Sequence, residues 1–425
     1  MASADSTTGS PTEAKPKKKK KRINVRKPDV MKAVQGLVES HYKGDLVEIL
    51  RANGGLATIG DVTFRLAKEF GFCYGVERAI DLAYAARRVF PDRPLYIIGE
   101  IIHNPDVNAQ IKAMGIKNLV PPNQEASIDD LTEDDVVILP AFGAETKIME
   151  EIEEKGCSVV DTTCGDVMSV WKRVRNYAKE EVTSIIHGKA SHEETRATAS
   201  RALGKDGTGQ YLVVLTLAEV DTVCDYIRNG GDRQEFLDKF KGAYSEGFNP
   251  DVHLRQVGVA NQTTMLREET EEVQRRINEA IKDRDGEEKS KESFRFFDTI
   301  CGATQERQDA LKGMLDKPMD ILLVVGGYNS SNTTHLAEMG EAVLPTYFIR
   351  NAGCLRDKEV IRHFDFHNQK EITSQDWMPG SPAIYGITAG ASCPNNLIED
   401  TIVRILELNG ISKDEALAKF QGSGE

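Results

Sequence analysis

Three cysteines share one local setting. Cys164 in "VVDTTCGDV" and Cys301 in "FFDTICGAT" each follow Asp-Thr-x after an apolar run and precede a glycine, and Cys73 in "EFGFCYGVERAIDLA" is a looser third copy. Each reads as a strand-to-helix turn, where Gly75, Gly165 and Gly302 let the backbone turn tightly beside the sulfur. A helix N-terminus at each sulfur adds positive potential, favouring the thiolate that binds metal. The other four cysteines, at 157, 224, 354 and 393, lack this setting. Structural zinc favours local Cys-x-x-Cys pairs, and the chain has none. Iron–sulfur clusters accept widely separated thiolates and usually take four. A cluster held by three leaves one iron open, able to act as a Lewis acid and an electron conduit. Cys393, in "GASCPNN", is the alternative fourth ligand.

Polar clusters fall where apolar runs end. They supply His103 ("GEIIHNPDVN"), His187, His192 and Glu194 ("IIHGKASHEETRA"), Gln262, Thr263 and Thr264 ("VANQTTML"), Ser330, Ser331 and Asn332 ("VVGGYNSSNT"), and Ser392 ("ITAGASCPNN"). The segment "VVGGYNSSNTTHLAEM" reads as strand, glycine pair and a helix opening on hydroxyl and amide groups, a geometry that binds anions through free N–H groups. "TAGASCPNNLIEDTIVRIL" repeats the arrangement. Either alone is an ordinary N-cap. Together with histidines on other strand ends they predict a phosphate or diphosphate pocket. No Walker or dinucleotide glycine fingerprint occurs, so a nucleotide is not the expected ligand. In "SHEET", His192 and Glu194 are two apart and point the same way if the segment is extended. A carboxylic acid beside a histidine and near the Thr263 hydroxyl suits protonation of a leaving hydroxyl. The competing reading is an exposed helix start carrying Glu193, Glu194 and Arg196.

The elements that must position these groups read as α/β with mainly parallel sheets. Predicted buried strands are "PLYIIG" (94–99), "DVVILPAFG" (135–143), "CSVVDTTC" (157–164), "YLVVLT" (211–216), "FRFFDTIC" (294–301), "DILLVVGG" (320–327) and "PAIYGITAG" (382–390). Helical patterns fill 75–90, 167–180 and 269–284, and "DRDGEEKSKES" (283–293) reads as a charged loop at a domain seam. The expected division is a basic tail with peripheral helices over 1–55, three similar α/β domains over 56–163, 164–298 and 299–412, and a C-terminal tail over 413–425. One cysteine per module predicts a pseudo-threefold arrangement around a common centre.

The net charge of −13 hides an asymmetry: residues 1–28 carry nine Lys/Arg against Asp5 and Glu13, leaving about −20 on the rest. A body that acidic is a poor nucleic-acid binder. The run "KPKKKKKR" (15–22) is expected to be a solubilising tail. No apolar stretch reaches the roughly 20 residues that span a bilayer. The polar start is unlike a secretory signal and its lysine block is unlike a plastid transit peptide. A cytoplasmic protein is expected, with plastid stroma as the alternative.

With these residues collected, the chain resembles the LytB/IspH family over about residues 60 to 410. "GFCYGVERAI", "IIHNPDVN", "VVDTTCGDVMSVW", "GKASHEET", "NQTTM", "DTICGATQERQ", "NSSNTTHLAE" and "ITAGAS" carry the likeness in order. The resemblance implies three α/β domains around one [4Fe–4S] cluster ligated by Cys73, Cys164 and Cys301. It implies reductive dehydroxylation of 4-hydroxy-3-methylbut-2-enyl diphosphate to isopentenyl and dimethylallyl diphosphate. His103, His192, Ser330, Asn332 and Ser392 would bind the diphosphate with Ser331 close by, and Glu194 and Thr263 would manage the proton. Electrons would come from ferredoxin or flavodoxin, since no flavin or nicotinamide motif is visible. Many bacterial members place a histidine where "PAFGAE" has Phe142, so the pocket resembles the plant and cyanobacterial branch and lacks one positive charge. The acidic insert around 225–255 falls outside the compact bacterial pattern and is assigned no catalytic role. A non-redox iron–sulfur (de)hydratase of a phosphorylated small molecule is the alternative function.

Overall fold

Near-continuous apolar runs such as Val136–Leu139 and Ile321–Val325 are buried at every position, the signature of strands covered by helices on both faces. The computed structural model describes residues 21–297 and 299–421. The lysine run therefore lies outside the described residues except for its last two members, as does Asp298 of the second Asp-Thr-x-Cys-Gly copy.

Three sheets carry the molecule. The first orders Lys21–Arg22, Ser158–Asp161, Val136–Leu139, Leu95–Ile97 and Ile116–Asn118, all parallel. The second orders Phe294–Phe296, Val257–Asn261, Thr183–His187 and Tyr211–Val214, again all parallel. The third orders Thr346–Ile349, Ile321–Val325, Ala383–Ala389 and Val62–Leu66, parallel throughout, with Leu56–Ile59 antiparallel at the edge. A hairpin, Val360–Asp365 with Lys370–Gln375, is added to the third unit. Each sheet has its own apolar core.

The boundaries differ from the expected ones in four places. Leu56–Ile59 and Val62–Leu66 hydrogen-bond into the third sheet, so the first unit does not begin at 56. The N-terminal helices, Pro28–Tyr42 and Asp45–Ala52, are not peripheral: Leu46, Val47 and Leu50 are fully buried in the third core, and Tyr42 packs with Tyr84. The charged segment 283–293 is not a loop, because the helix Arg267–Asp285 runs into a second one, Glu287–Ser293. Lys413–Gln421 is a helix with Ala416 and Phe420 buried, not a bare tail. The acidic insert folds into the second core through Phe236, Phe240 and Phe248.

Candidate active site

Each of the three cysteines is the N-cap of its helix: Cys73 for Tyr74–Val89, Cys164 for Gly165–Lys179 and Cys301 for Gly302–Leu315. Their amides donate in the same way to loops that leave central strands. Cys73 N–H reaches the Ala391 carbonyl at 3.2 Å, Cys164 that of Ala141 at 2.8 Å, and Cys301 that of Thr263 at 3.2 Å. Arginines close the ring. Arg78, on the Cys73 helix, donates to the carbonyls of Thr162 and Thr163 at 3.1 Å each. Arg173, on the Cys164 helix, lies 3.6 Å over the Phe297 ring. Arg307, on the Cys301 helix, donates to the carbonyls of Gly71 and Phe72 at 2.7 and 3.0 Å. Each helix thus grips the segment leading to another cysteine, and the repeat becomes a pseudo-threefold.

The three sulfurs line one cavity. A Cβ on Gly75 would stand 2.6 Å from Cys164 Sγ and 3.9 Å from Cys73 Sγ, so only glycine lets the first helix begin this close to the sulfurs. Three thiols far apart in sequence, with no Cys-x-x-Cys pair among them, suit a multi-iron cluster better than a structural zinc ion. The helix N-termini do not ionise the thiols unaided. Burial pushes the Cys164 thiol up and Cys301 up to about 12, outweighing the backbone N–H groups that favour the thiolate. A bound cationic cluster would supply the missing stabilisation. Cys393 is buried in the third core, its sulfur 3.7 Å from the Pro394 carbonyl, and does not line the cavity. It is not placed to be a fourth ligand.

The same cavity gathers the polar residues that the resemblance assigns to it: His103, His192, Glu194, Thr263, Ser330, Ser331, Asn332 and Ser392, with Phe142 in the wall. The Asn332 amide is 2% exposed, yet neither its nitrogen nor its oxygen has a partner in the protein. His103 Nδ1 lies 3.1 Å from the Glu100 carboxylate, while its buried Nε2 has no hydrogen-bond partner. Glu193 Oε2 stands 3.7 Å from that Nε2, beyond hydrogen-bond reach, and unmatched buried polar atoms of this kind are costly unless a ligand completes them. Ser330 caps its helix, its Oγ accepting from the Thr333 hydroxyl at 2.9 Å, and Ser392 Oγ donates to the His103 carbonyl at 3.1 Å. Gly327 allows this closure, because a Cβ there would lie 2.3 Å from that same carbonyl oxygen.

The "SHEET" segment is not extended. His192 is the N-cap of the helix Glu193–Ala202, and its Nδ1 accepts from the Glu194 N–H at 3.1 Å. Burial holds His192 well below the usual histidine range, so the ring is neutral with its proton on Nε2. It is thus a donor toward an anion rather than a metal ligand, although His103, His192 and Glu193 approach within 4.8 Å. Glu194 is buried rather than part of an exposed helix start. Its Oε1 accepts the Thr263 N–H at 2.6 Å and its Oε2 the Thr263 hydroxyl at 3.0 Å. Burial nevertheless pushes its carboxyl up to about 7.

Phe142 stacks on His103, with ring centroids 4.6 Å apart and planes 10° from parallel. Gln262 stands behind the cavity, donating to Thr264 Oγ1 at 2.7 Å and Ser331 Oγ at 3.0 Å. His187 is not brought in: it is buried against Thr270 at 2.8 Å. Sequence reasoning missed Glu100 and Asn329, which hydrogen-bond each other at 2.7 Å beside His103. It also missed Asp166, which lines the cavity. The only available signal was their closeness in sequence to His103, Ser330 and Cys164.

Three α/β units around one cavity, lined by three cysteines and by histidine, serine and asparagine side chains, define the scaffold. The chain belongs to the LytB protein family, whose model matches residues 64–406. It is 47% identical over 388 residues to 4-hydroxy-3-methylbut-2-enyl diphosphate reductase of Gloeobacter violaceus, covering 90% of this chain and 92% of that one. The enzyme of the same name from Trichodesmium erythraeum is 44% identical, with 88% and 92% covered. A solved structure of (E)-4-hydroxy-3-methyl-but-2-enyl diphosphate reductase, the terminal enzyme of the non-mevalonate pathway, superposes with a TM-score of 0.50 at 26% identity, covering 81% of this chain and 99% of that one. The Plasmodium falciparum E-1-hydroxy-2-methyl-but-2-enyl-4-diphosphate reductase shares the fold, with a TM-score of 0.57 at 20% identity over 85% of this chain and 99% of that one.

Proposed function

We propose that this chain reduces (E)-4-hydroxy-3-methylbut-2-enyl diphosphate to isopentenyl and dimethylallyl diphosphate, closing the non-mevalonate route to isoprenoids. The observation that carries the reading is the convergence, in one cavity, of three N-cap sulfurs, a buried carboxyl at Glu194 pushed up to about 7, and buried polar atoms of His103 and Asn332 without hydrogen-bond partners. The reaction breaks the allylic C–O bond, consumes two electrons and two protons, and releases water.

Cys73, Cys164 and Cys301 would hold one [4Fe–4S] cluster per chain. That group supplies single electrons and a Lewis-acidic iron without a protein ligand. The chain's own residues do the rest. His192 Nε2–H, His103 Nε2, the Asn332 amide and the hydroxyls of Ser330 and Ser392 hold the diphosphate, and Ser331 stands beside them on Gln262. Clamping the remote charged end fixes the allylic alcohol against the sulfur side of the cavity. Glu194, its carboxyl pushed up to about 7 by burial, is protonated in a substantial fraction of molecules near neutral pH. When its Oε2 is protonated it donates to Thr263 Oγ, whose own hydrogen then turns toward the leaving oxygen. Phe142 packs on His103 and fixes that ring without adding charge.

Electrons come from an external one-electron carrier, ferredoxin or flavodoxin, in a cytoplasmic setting. No helix among the described residues is long and apolar enough to cross a membrane. The test is an anaerobic assay with dithionite-reduced methyl viologen. Formation of both C5 diphosphates, dependent on reductant, supports the reading. Turnover without reductant, giving hydrated or dehydrated product, replaces it with the (de)hydratase.

A further inference from the structure

A second cleft, of about 630 Å³, shares no lining residue with the cysteine-lined cavity. Its walls are the end of the helix Asp45–Ala52, the strand Val62–Leu66 with the three residues after it, and the last turns of the Cys301 helix. Four cationic side chains line it, Arg51, Arg65, Lys68 and Lys317, against the carboxylates of Glu69 and Asp309. That balance is reversed from the whole chain, whose net charge is −13. Arg51 is already engaged, with Glu48 at 3.3 Å, and Asp309 accepts from Gln305 at 2.8 Å. Arg65, Lys68 and Lys317 have no side-chain partner among the described residues.

Arg65 is the telling residue. It is half-buried in the wall, and its Nε is shut off from solvent with no acceptor in the protein. A buried guanidinium N–H left open is costly unless something arrives to accept from it. A cleft lined by unpaired charges of one sign also concentrates ions of the other. Leu66 and Met314, both buried, give the same lining an apolar part. The volume falls in the range of small-molecule sites and exceeds what a lone phosphate ion needs.

We propose that this cleft binds an organic diphosphate. The charged end lies on the Arg65 guanidinium and the ammonium groups of Lys68 and Lys317, and the apolar body lies against Leu66 and Met314. Guanidinium matches phosphate with a planar fork, and lysine adds point charge. The site is separate from the one that holds the diphosphate among His103, His192 and Asn332. It adjoins the cysteine framework all the same. Arg51 donates to the Phe70 carbonyl at 3.0 Å and Arg307 to that of Gly71 at 2.7 Å, on the segment leading to Cys73. A ligand in the cleft therefore bridges that segment and the helix that Cys301 begins.

The test is anaerobic calorimetric titration of the full chain with geranyl diphosphate, a diphosphate on a ten-carbon apolar chain. Two variants alter the cleft in opposite ways. Arg65→Gln/Lys317→Gln removes two cations without breaking an internal hydrogen bond of their side chains. Gly313→Glu adds a carboxylate to the lining, and a Cβ there would meet nothing within 4 Å, so the fold accommodates it. Val343→Glu, at a residue 60% exposed outside the cleft, controls for charge alone. Both cleft variants should bind at least tenfold more weakly than wild type, and Val343→Glu within twofold of it. Turnover of all three with a small reductant, in the absence of geranyl diphosphate, should stay within twofold of wild type. Affinity within twofold of wild type in both cleft variants, or an equal loss in Val343→Glu, would overturn the proposal. So would inorganic diphosphate binding the cleft as tightly as geranyl diphosphate, since the apolar wall would then contribute nothing. Binding is read without turnover, so failure here is separate from failure of the reductase reading.

Discussion

Both carboxylate oxygens of Glu194 accept hydrogen bonds from one residue, Thr263: the N–H at 2.6 Å and the hydroxyl at 3.0 Å. The Thr263 carbonyl in turn accepts from the Cys301 N–H at 3.2 Å. The Glu194 carboxyl and the backbone of one cysteine of the proposed cluster are therefore held by a single residue.

Glu194→Gln keeps the shape of this contact and removes the acid. We expect kcat to fall by about 10²- to 10⁴-fold, the usual worth of a positioned general acid, with substrate affinity and iron content little changed. In the wild type the active form is protonated, so kcat should decline as pH rises through about 7. That limb should be missing from the residual activity of the variant. A pH–rate profile of both proteins checks it.

The same residue predicts a stability effect of opposite sense. Its folded pKa is raised above the ordinary carboxyl value, so the folded state binds the proton more tightly than the unfolded chain does. The stability contribution is full below about 4.5 and is lost as pH rises toward 7. At pH 8 the wild type pays for a buried carboxylate that glutamine avoids, and Glu194→Gln should be more stable by on the order of 2–3 kcal/mol. Denaturant melts at pH 5 and pH 8 should show the advantage growing with pH. A constant difference would contradict the assignment.

Asn332 separates binding from folding. Its amide has no partner in the protein, so Asn332→Ala breaks no internal hydrogen bond and should leave stability nearly unchanged. Lost contact with the diphosphate should raise KM roughly tenfold or more, about 1.5–3 kcal/mol for a hydrogen bond to a charged group. Calorimetric titration with inorganic diphosphate measures the same loss without turnover. Equal affinity in both proteins would place the diphosphate elsewhere.

Arg307 is buried, and its Nε and Nη2 both reach the Gly71 carbonyl, at 3.1 and 2.7 Å. Arg307→Met should destabilise the protein by about 2–4 kcal/mol, since charged hydrogen bonds are lost and two carbonyls are left short of a donor. The Cys73 loop should loosen, and iron per chain should fall after desalting. Full iron with an unchanged melt would show that the ring of arginine contacts is not needed to hold the cysteines.

Much of this site was legible because its signals are local. Asp-Thr-x-Cys-Gly states a turn and a helix start in five residues, and the structure makes each of these cysteines an N-cap. Glu194 read ambiguously because Glu193 and Arg196 beside it are indeed exposed, and only tertiary packing buries the residue between them. The extended reading of "SHEET" failed because His192 caps its helix with a ring nitrogen, a role histidine seldom advertises. Leu56–Ile59 and Val62–Leu66 were placed in the wrong unit because their partner strand, Ala383–Ala389, lies far along the chain and no local pattern names it. The segment 283–293 looked like a loop from its charge, yet Lys291 with Glu288 at 3.1 Å is a pair that helical spacing permits, and Lys282 reaches Glu287 at 3.0 Å across the joint between the two helices.

The central claim is that Cys73, Cys164 and Cys301 hold a four-iron cluster with one iron left open to substrate. Anaerobically purified protein, assayed for iron and sulfide and then examined by Mössbauer spectroscopy with and without 4-hydroxy-3-methylbut-2-enyl diphosphate, tests it most directly. The account predicts four irons per chain, one of them distinct and shifting when substrate is added. Four equivalent irons indifferent to substrate, or zinc in their place, would contradict it.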